Sequence, residues 1–168
     1  DTGNSNVGAL EHRVLQSNPL LEAFGNAQTL RNDNSSRFGK FIKILFGESG
    51  TIAGATIEKY LLEKTRVQHQ LEGERNFHIF YQMLNGADEA LKTKLCLGKS
   101  DTPADFRYLV GGDQSAMSTE DDAGDFSHTL DCLRAAGVNT VTQQELLQLV
   151  AGVLHLGNIV FEVEEHTG

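Results

Sequence analysis

Residues 38–62 read FGKFIKILFGESGTIAGATIEKYLL. Two runs rich in β-branched and aromatic side chains are separated by Gly47-Glu48-Ser49-Gly50-Thr51, which predicts two antiparallel strands joined by a five-residue turn. The turn also opens like a phosphate-gripping loop, GESG. Such a loop needs G-x-x-x-x-G-K-[ST], because backbone N–H groups cradle the phosphates, the Lys reaches the terminal ones and the hydroxyl holds Mg²⁺. Five residues on from Gly47 stands Ile52, and five on from Gly50 stands Ala55, so neither glycine starts that pattern. GESGT therefore reads as a turn between strands, and any phosphate contact must be sought elsewhere.

Working outward, the chain has the length of one domain. Its 14 Lys and Arg against 23 Asp and Glu give a net charge of −9, which argues against nucleic acid as a partner through overall charge. Cys96 and Cys132 stand without a CxxC pattern or a His at metal spacing and read as reduced thiols of a cytoplasmic protein. No apolar run approaches the roughly 18 residues of a membrane span. Two prolines and no repeat suggest a compact chain without a linker.

Before the hairpin, Leu10 to Phe24 carries helical spacing, interrupted or kinked at Pro19, and a polar loop follows from Asn26 to Ser36. After the hairpin the pattern turns helical. Phe77, Phe80 and Leu84 share a face, Asp88 to Leu97 forms a short helix, and Phe126, Leu130 and Leu133 mark another. The acids between Lys99 and Asp131 lack the spacing of a Ca²⁺ loop and read as a solvated surface. Thr142-Gln143-Gln144-Glu145 reads as a capping box opening a helix to Gly157, and Ile159, Phe161 and Val163 alternate as a closing strand over 158–164. His78 and His155 lie on apolar helical faces, where hydrogen-bonded core histidines are expected rather than ligands.

The chemistry concentrates just ahead of the hairpin, in Asn32 to Lys40, NDNSSRFGK. From Gln28 to Phe46 there are four cations, Arg31, Arg37, Lys40 and Lys43, against the single acid Asp33, so an otherwise acidic chain is locally basic. Ser35 and Ser36 are adjacent hard oxygen donors suited to Mg²⁺, which keeps waters and phosphate oxygens and takes few protein ligands. Composition alone also fits a turn in which Asn and Ser cap their own backbone.

The full string resembles switch I of the myosins, N-x-x-S-S-R-F-G-K. LQSNPLLEAFGNAQTLRNDNSSRFGKF, IAGATIEKYLLEKTRV, GERNFHIFYQML and VAGVLHLGNIVF are similar to further myosin blocks in the same order, covering about Leu10 to Phe161. The resemblance implies an α/β fold, part of a P-loop NTPase motor head. In it, 10–36 would be a helix and switch I, 37–62 a hairpin of the central twisted sheet, 63–157 a mainly helical upper region and 158–164 a strand. It further implies ATP and Mg²⁺ as cofactors, Ser36 as a metal ligand, Ser35 beside the γ-phosphate, Asn32 on the phosphates, and Arg37 paired with a switch II glutamate. Intact myosins couple ATP hydrolysis to movement on the actin filament in the cytoplasmic actin cytoskeleton. The P-loop and switch II blocks of the family do not occur in this chain, so the chain by itself is expected to be inactive. A kinesin-like NTPase is the alternative enzyme, disfavoured because kinesins follow the Arg with Ser-His where Phe38-Gly39 stand. A non-catalytic head relic that binds a partner through its helices is the alternative of another class.

Overall fold

The computed structural model describes residues 17–48, 50–110 and 121–162. Its first described element is helix α1, residues 17–25, with Pro19 inside the first described turn. The helical reading upstream, from Leu10 to residue 16, lies outside the described residues.

The polar loop expected from Asn26 to Ser36 is instead a two-stranded ribbon. Strand β1 (Asn26–Thr29) pairs antiparallel with β2 (Asn32–Ser36), placing Asn26 opposite Ser36 and Thr29 opposite Asn32. Polar residues hold a strand here because their side chains complete the ladder. Asn26 Nδ2 donates to Asn34 Oδ1 at 2.9 Å, and Thr29 Oγ1 donates to Asn32 O at 3.1 Å across the turn. The other reason is tertiary: Ala27 is fully buried and bridges to Phe77, and Arg75 N donates to Gln28 O at 3.0 Å. The ribbon is thereby laid against the helical part.

The expected hairpin is present as β3 (Gly39–Phe46) and β4 (Ile52–Tyr60), antiparallel with Gly39 opposite Tyr60 and Ile42 opposite Ile57. Gly47 N donates to Thr51 O and Gly50 N to Gly47 O, and Gly50 sits at φ 73, where a residue without a Cβ is unstrained. Gly47, Gly50 and Thr51 thus close a turn between the two strands. Several large apolar side chains of the hairpin, among them Phe41, Leu45 and Phe46, are exposed.

The core lies in the helices. Helix α2 (His78–Gly86) is buried at every position from His78 to Leu84, with α4 (Asp122–Ala135) packed along it and α5 (Thr140–Gly157) on another side. Phe80, Met83 and Leu84 meet Phe106, Leu109, Phe126, Leu147 and Leu154 in one cluster. A Cβ on Gly86 would stand 2.5 Å from Phe126 Cβ, so the approach of α4 to α2 needs glycine there. The short helix α3 (Glu89–Lys94) is capped by Asp88, whose side chain accepts from Leu91 N.

Three further expectations are corrected. The capping box at Thr142 is not the start of α5: Asn139 caps it, its Oδ1 accepting from Thr142 N at 3.0 Å, and the helix begins a turn earlier. The acids read as a solvated surface are in part structural. Asp122 makes a two-oxygen ion pair with Arg75, and Asp121, Asp101 and Asp105 accept from the backbone N–H groups of Gly124, Gly98 and Thr102. Asp113 and Glu120 lie outside the described residues. The closing strand over 158–164 is not formed in 159–162, where no ladder partner exists among the described residues, and 163–164 lie outside them. Among the described residues no helix is long and apolar enough to cross a membrane.

Candidate functional site

The four residues singled out by sequence sit on one strand and the step beyond it. β2 carries Asn32, Ser35 and Ser36, and Arg37 follows directly. A strand places alternate side chains on opposite faces. Ser35 and Arg37 therefore share a face, and Arg37 Nη1 donates to Ser35 Oγ at 3.2 Å. Ser36 points with the other set, and its Oγ donates to Phe38 O at 2.9 Å. Asn32 stands at the far end of β2, roughly 13 Å from Ser36 at about 3.3 Å per residue. The structure thus brings Ser35 and Arg37 together and holds Asn32 apart from both serines.

The arrangement suits an anion with a cation attached. The Ser36 hydroxyl proton is engaged by a carbonyl, which leaves the oxygen lone pairs as its remaining capacity, the requirement for a hard-metal ligand. Ser35 accepts from Arg37 and keeps its own proton to donate. Asn32 Oδ1 accepts from Asn34 N at 2.8 Å, leaving its Nδ2 group as donor. Asn32 and Ser36 are exposed, and Ser35 and Arg37 are half-buried. The donor set therefore fits Mg²⁺ and phosphate.

Sequence reasoning did not find Glu63. Its Oε2 accepts from Arg37 Nε at 2.6 Å and from Arg66 Nε at 2.8 Å, and its backbone N–H donates to Arg37 O at 3.0 Å. The hairpin register held the signal: Gly39 faces Tyr60, so the residues at 37 and 63 flank the open end of the same ladder. Burial would raise the Glu63 carboxyl, but hydrogen bonds from Arg37 and Arg66 outweigh it and hold the group below the usual glutamate range. Arg66 is buried and also reaches Arg75 O and Glu74 Oε2, at 2.9 and 2.8 Å.

The remaining candidates settle into structural roles. His78 is buried with Nε2 3.2 Å from Asn34 Oδ1, and His155 Nε2 lies 3.1 Å from Leu95 O. Cys96 and Cys132 form no disulfide, Cys132 Sγ lying 3.6 Å from His128 Nε2, and the described residues hold no group of three His, Cys, Asp or Glu able to take a metal. Gly98-Lys99-Ser100 has the closing letters of a phosphate loop, but Thr93 stands where its first glycine belongs. Gly98 N there donates to Asp101, and Lys99 Nζ pairs with Glu89 at 2.6 Å.

Comparison with known proteins agrees along the whole chain. The sequence family described as myosin head (motor domain) matches residues 1–168. The chain is 48% identical over 161 residues to unconventional myosin-Ic-A of Xenopus laevis, covering 96% of this chain and 16% of that protein. It is 46% identical over 158 residues to myosin ID heavy chain of Dictyostelium discoideum, covering 94% of this chain and 14% of that protein. Against myosin-4 of Saccharomyces cerevisiae it is 46% identical over 157 residues, covering 94% and 10%. The chain thus spans about a sixth or less of the length of these relatives.

Proposed function

The chain belongs to the myosin motor-head family, and from that premise we propose that it is the nucleotide-sensing portion of a cytoplasmic actin-based motor that hydrolyses Mg-ATP. In this reading the hairpin β3–β4 belongs to the central sheet of a P-loop NTPase fold, and the helical part to the upper head. Its exposed apolar side chains support that assignment, since a central sheet is covered on both faces. The family match removes the kinesin-like alternative.

The observation that carries the function is the division of labour along β2. Ser36, its proton tied to Phe38 O, would hold Mg²⁺ through a lone pair, Ser35 on the opposite face would lie beside the γ-phosphate, and Arg37, hydrogen-bonded to Ser35, would pair with a switch II glutamate. Asn32, one strand length away, would reach another part of the same extended anion through its amide. Mg²⁺ when bound neutralises charge on the phosphates. Phosphoryl transfer needs little more from protein than positioned donors and fixed charge, which a hydroxyl, an amide and a guanidinium supply. A strand held by a γ-phosphate and released after its loss is also a switch.

The test is the double substitution Ser36→Ala and Arg37→Ala in the complete motor head that carries these residues. ATP turnover with and without actin filaments is expected to fall by about a hundredfold or more. An unchanged rate overturns the reading. A wild-type protein that binds partners but does not turn over ATP establishes the relic instead.

A further inference from the structure

We infer that Asn34 is a positioning residue: it ties the outer strand β2 to helices α1 and α2, and so holds Asn32 and Ser36 where nucleotide and Mg²⁺ meet them. The inference rests on the reading above. It starts from alternation along the strand, which puts Asn32, Asn34 and Ser36 on one face with Asn34 between the other two. The backbone N–H of Asn34 donates to Asn32 Oδ1 at 2.8 Å and so fixes the Asn32 amide. Its side chain reaches away from the strand. Asn34 Oδ1 accepts from Asn26 Nδ2 at 2.9 Å, and Asn34 Nδ2 donates to Glu22 Oε2 of α1 at 3.0 Å. His78 Nε2, at the start of α2, stands 3.2 Å from the same Oδ1.

Chemistry sets the polarity of this joint. An ionised carboxylate only accepts, so Glu22 dictates that the Asn34 amide nitrogen faces α1 and its oxygen faces Asn26 and His78. That oxygen offers two lone pairs to two donors, and His78 accordingly carries a proton on Nε2. The partners are themselves anchored. Asn26 is buried and stands opposite Ser36 in the ribbon, and His78 is buried at the head of α2. The side chains of Asn32, Ser35 and Ser36 bond instead to Asn34 N, Arg37 and Phe38 O, within the strand or just beyond it. Among the described residues Asn34 is thus the one side-chain tie from β2 to the two helices. It is also exposed, so its bonds replace bonds to water and add little net stability. Their effect is placement.

A merely structural joint is the competing account, in which its loss loosens the ribbon without touching the metal. The two accounts separate in the complete motor head through Mg-ATP turnover and the Mg²⁺ concentration giving half-maximal turnover at saturating ATP. Asn34→Asp presents a second carboxylate to Glu22 and breaks the joint. Asn34→Asp combined with Glu22→Gln restores it, with donor and acceptor exchanged and the total charge unchanged. Positioning predicts that Asn34→Asp lowers turnover about tenfold and raises the half-maximal Mg²⁺ about threefold or more, as loss of the bonds behind a metal ligand does. The paired variant returns both to within about threefold of wild type. Asn139→Ala, a destabilising change at the cap of α5, leaves both within about twofold. A pair no better than Asn34→Asp alone, or a wild-type Mg²⁺ requirement in Asn34→Asp, overturns the inference, and a loss of turnover in Ser36→Ala beside it keeps the nucleotide reading. Wild-type turnover and Mg²⁺ requirement in Ser36→Ala sink that reading and this inference with it. Should Asn34→Asp not fold, Asn34→Ala, which only deletes the side-chain bonds, is read by the same turnover and Mg²⁺ criteria.

Discussion

The helices and the hairpin are built on opposite principles. α2 shows almost no surface between His78 and Leu84, and its neighbours supply a dry cluster of aromatic and aliphatic side chains. β3 and β4 pair perfectly well with each other, yet Leu45 and Phe46 are 51% and 64% exposed. A hairpin's backbone bonds are complete along one edge each, but its stability needs a third layer. The helical part contains its own answer to the hydrophobic effect, whereas the hairpin holds apolar surface that only another element can cover. The candidate site lies on the seam, on a ribbon fastened to the helices at one end and continuing into the hairpin at the other.

That contrast can be broken by mutation. Asp122→Ala strands the Arg75 guanidinium, whose side chain is 6% exposed, without its carboxylate, and should cost about 3–5 kcal/mol in urea unfolding of the 168-residue chain. Leu45→Ala on the hairpin should cost less than about 0.5 kcal/mol in the same measurement. Comparable losses would show that the hairpin is packed after all. A finer probe is Asn139→Ala, which removes the acceptor of Thr142 N at the start of α5 and should cost about 1 kcal/mol, while Thr142→Ala, once read as the cap, should cost clearly less. The smallest effect belongs to the seam. Glu63 is held below its ordinary value of 4.5, burial opposing and the Arg37 and Arg66 bonds prevailing, so its contribution is complete above that pH and is lost as acid protonates the folded carboxyl below it. Partial exposure and solvent screening limit the Arg37–Glu63 bond to about 1 kcal/mol. Acid unfolding of Glu63→Gln should accordingly be flatter than wild type below about pH 4.5 and parallel above it.

The periodic parts of this architecture were legible in the sequence. Alternating β-branched residues around a glycine turn gave β3 and β4, and helical spacing gave α2 and α5. What escaped was structure made by polar groups. Asn26, Asn32, Asn34 and Ser36 carry no strand propensity, and they form a ribbon because their amides and hydroxyls bond one another while Ala27 is pressed against Phe77. Asn139 was passed over for a Thr-x-x-Glu pattern three residues later, although asparagine is at least as good a cap. At the candidate site, Asn32, Ser35, Ser36 and Arg37 were readable from one string. Glu63 was not, because the bond that matters joins residues separated by a whole hairpin.

Arg75 joins the ribbon to two of the helices. Its backbone N–H is bonded to the ribbon at Gln28, its guanidinium grips Asp122 at the head of α4 and lies 3.8 Å over the Tyr81 ring of α2. Such a rivet removes independence: heat cannot fray the ribbon while sparing the helices. Calorimetry of this chain should show the two melting as a single cooperative unit, and a motor built on it would feel at α4 any tug applied to β1.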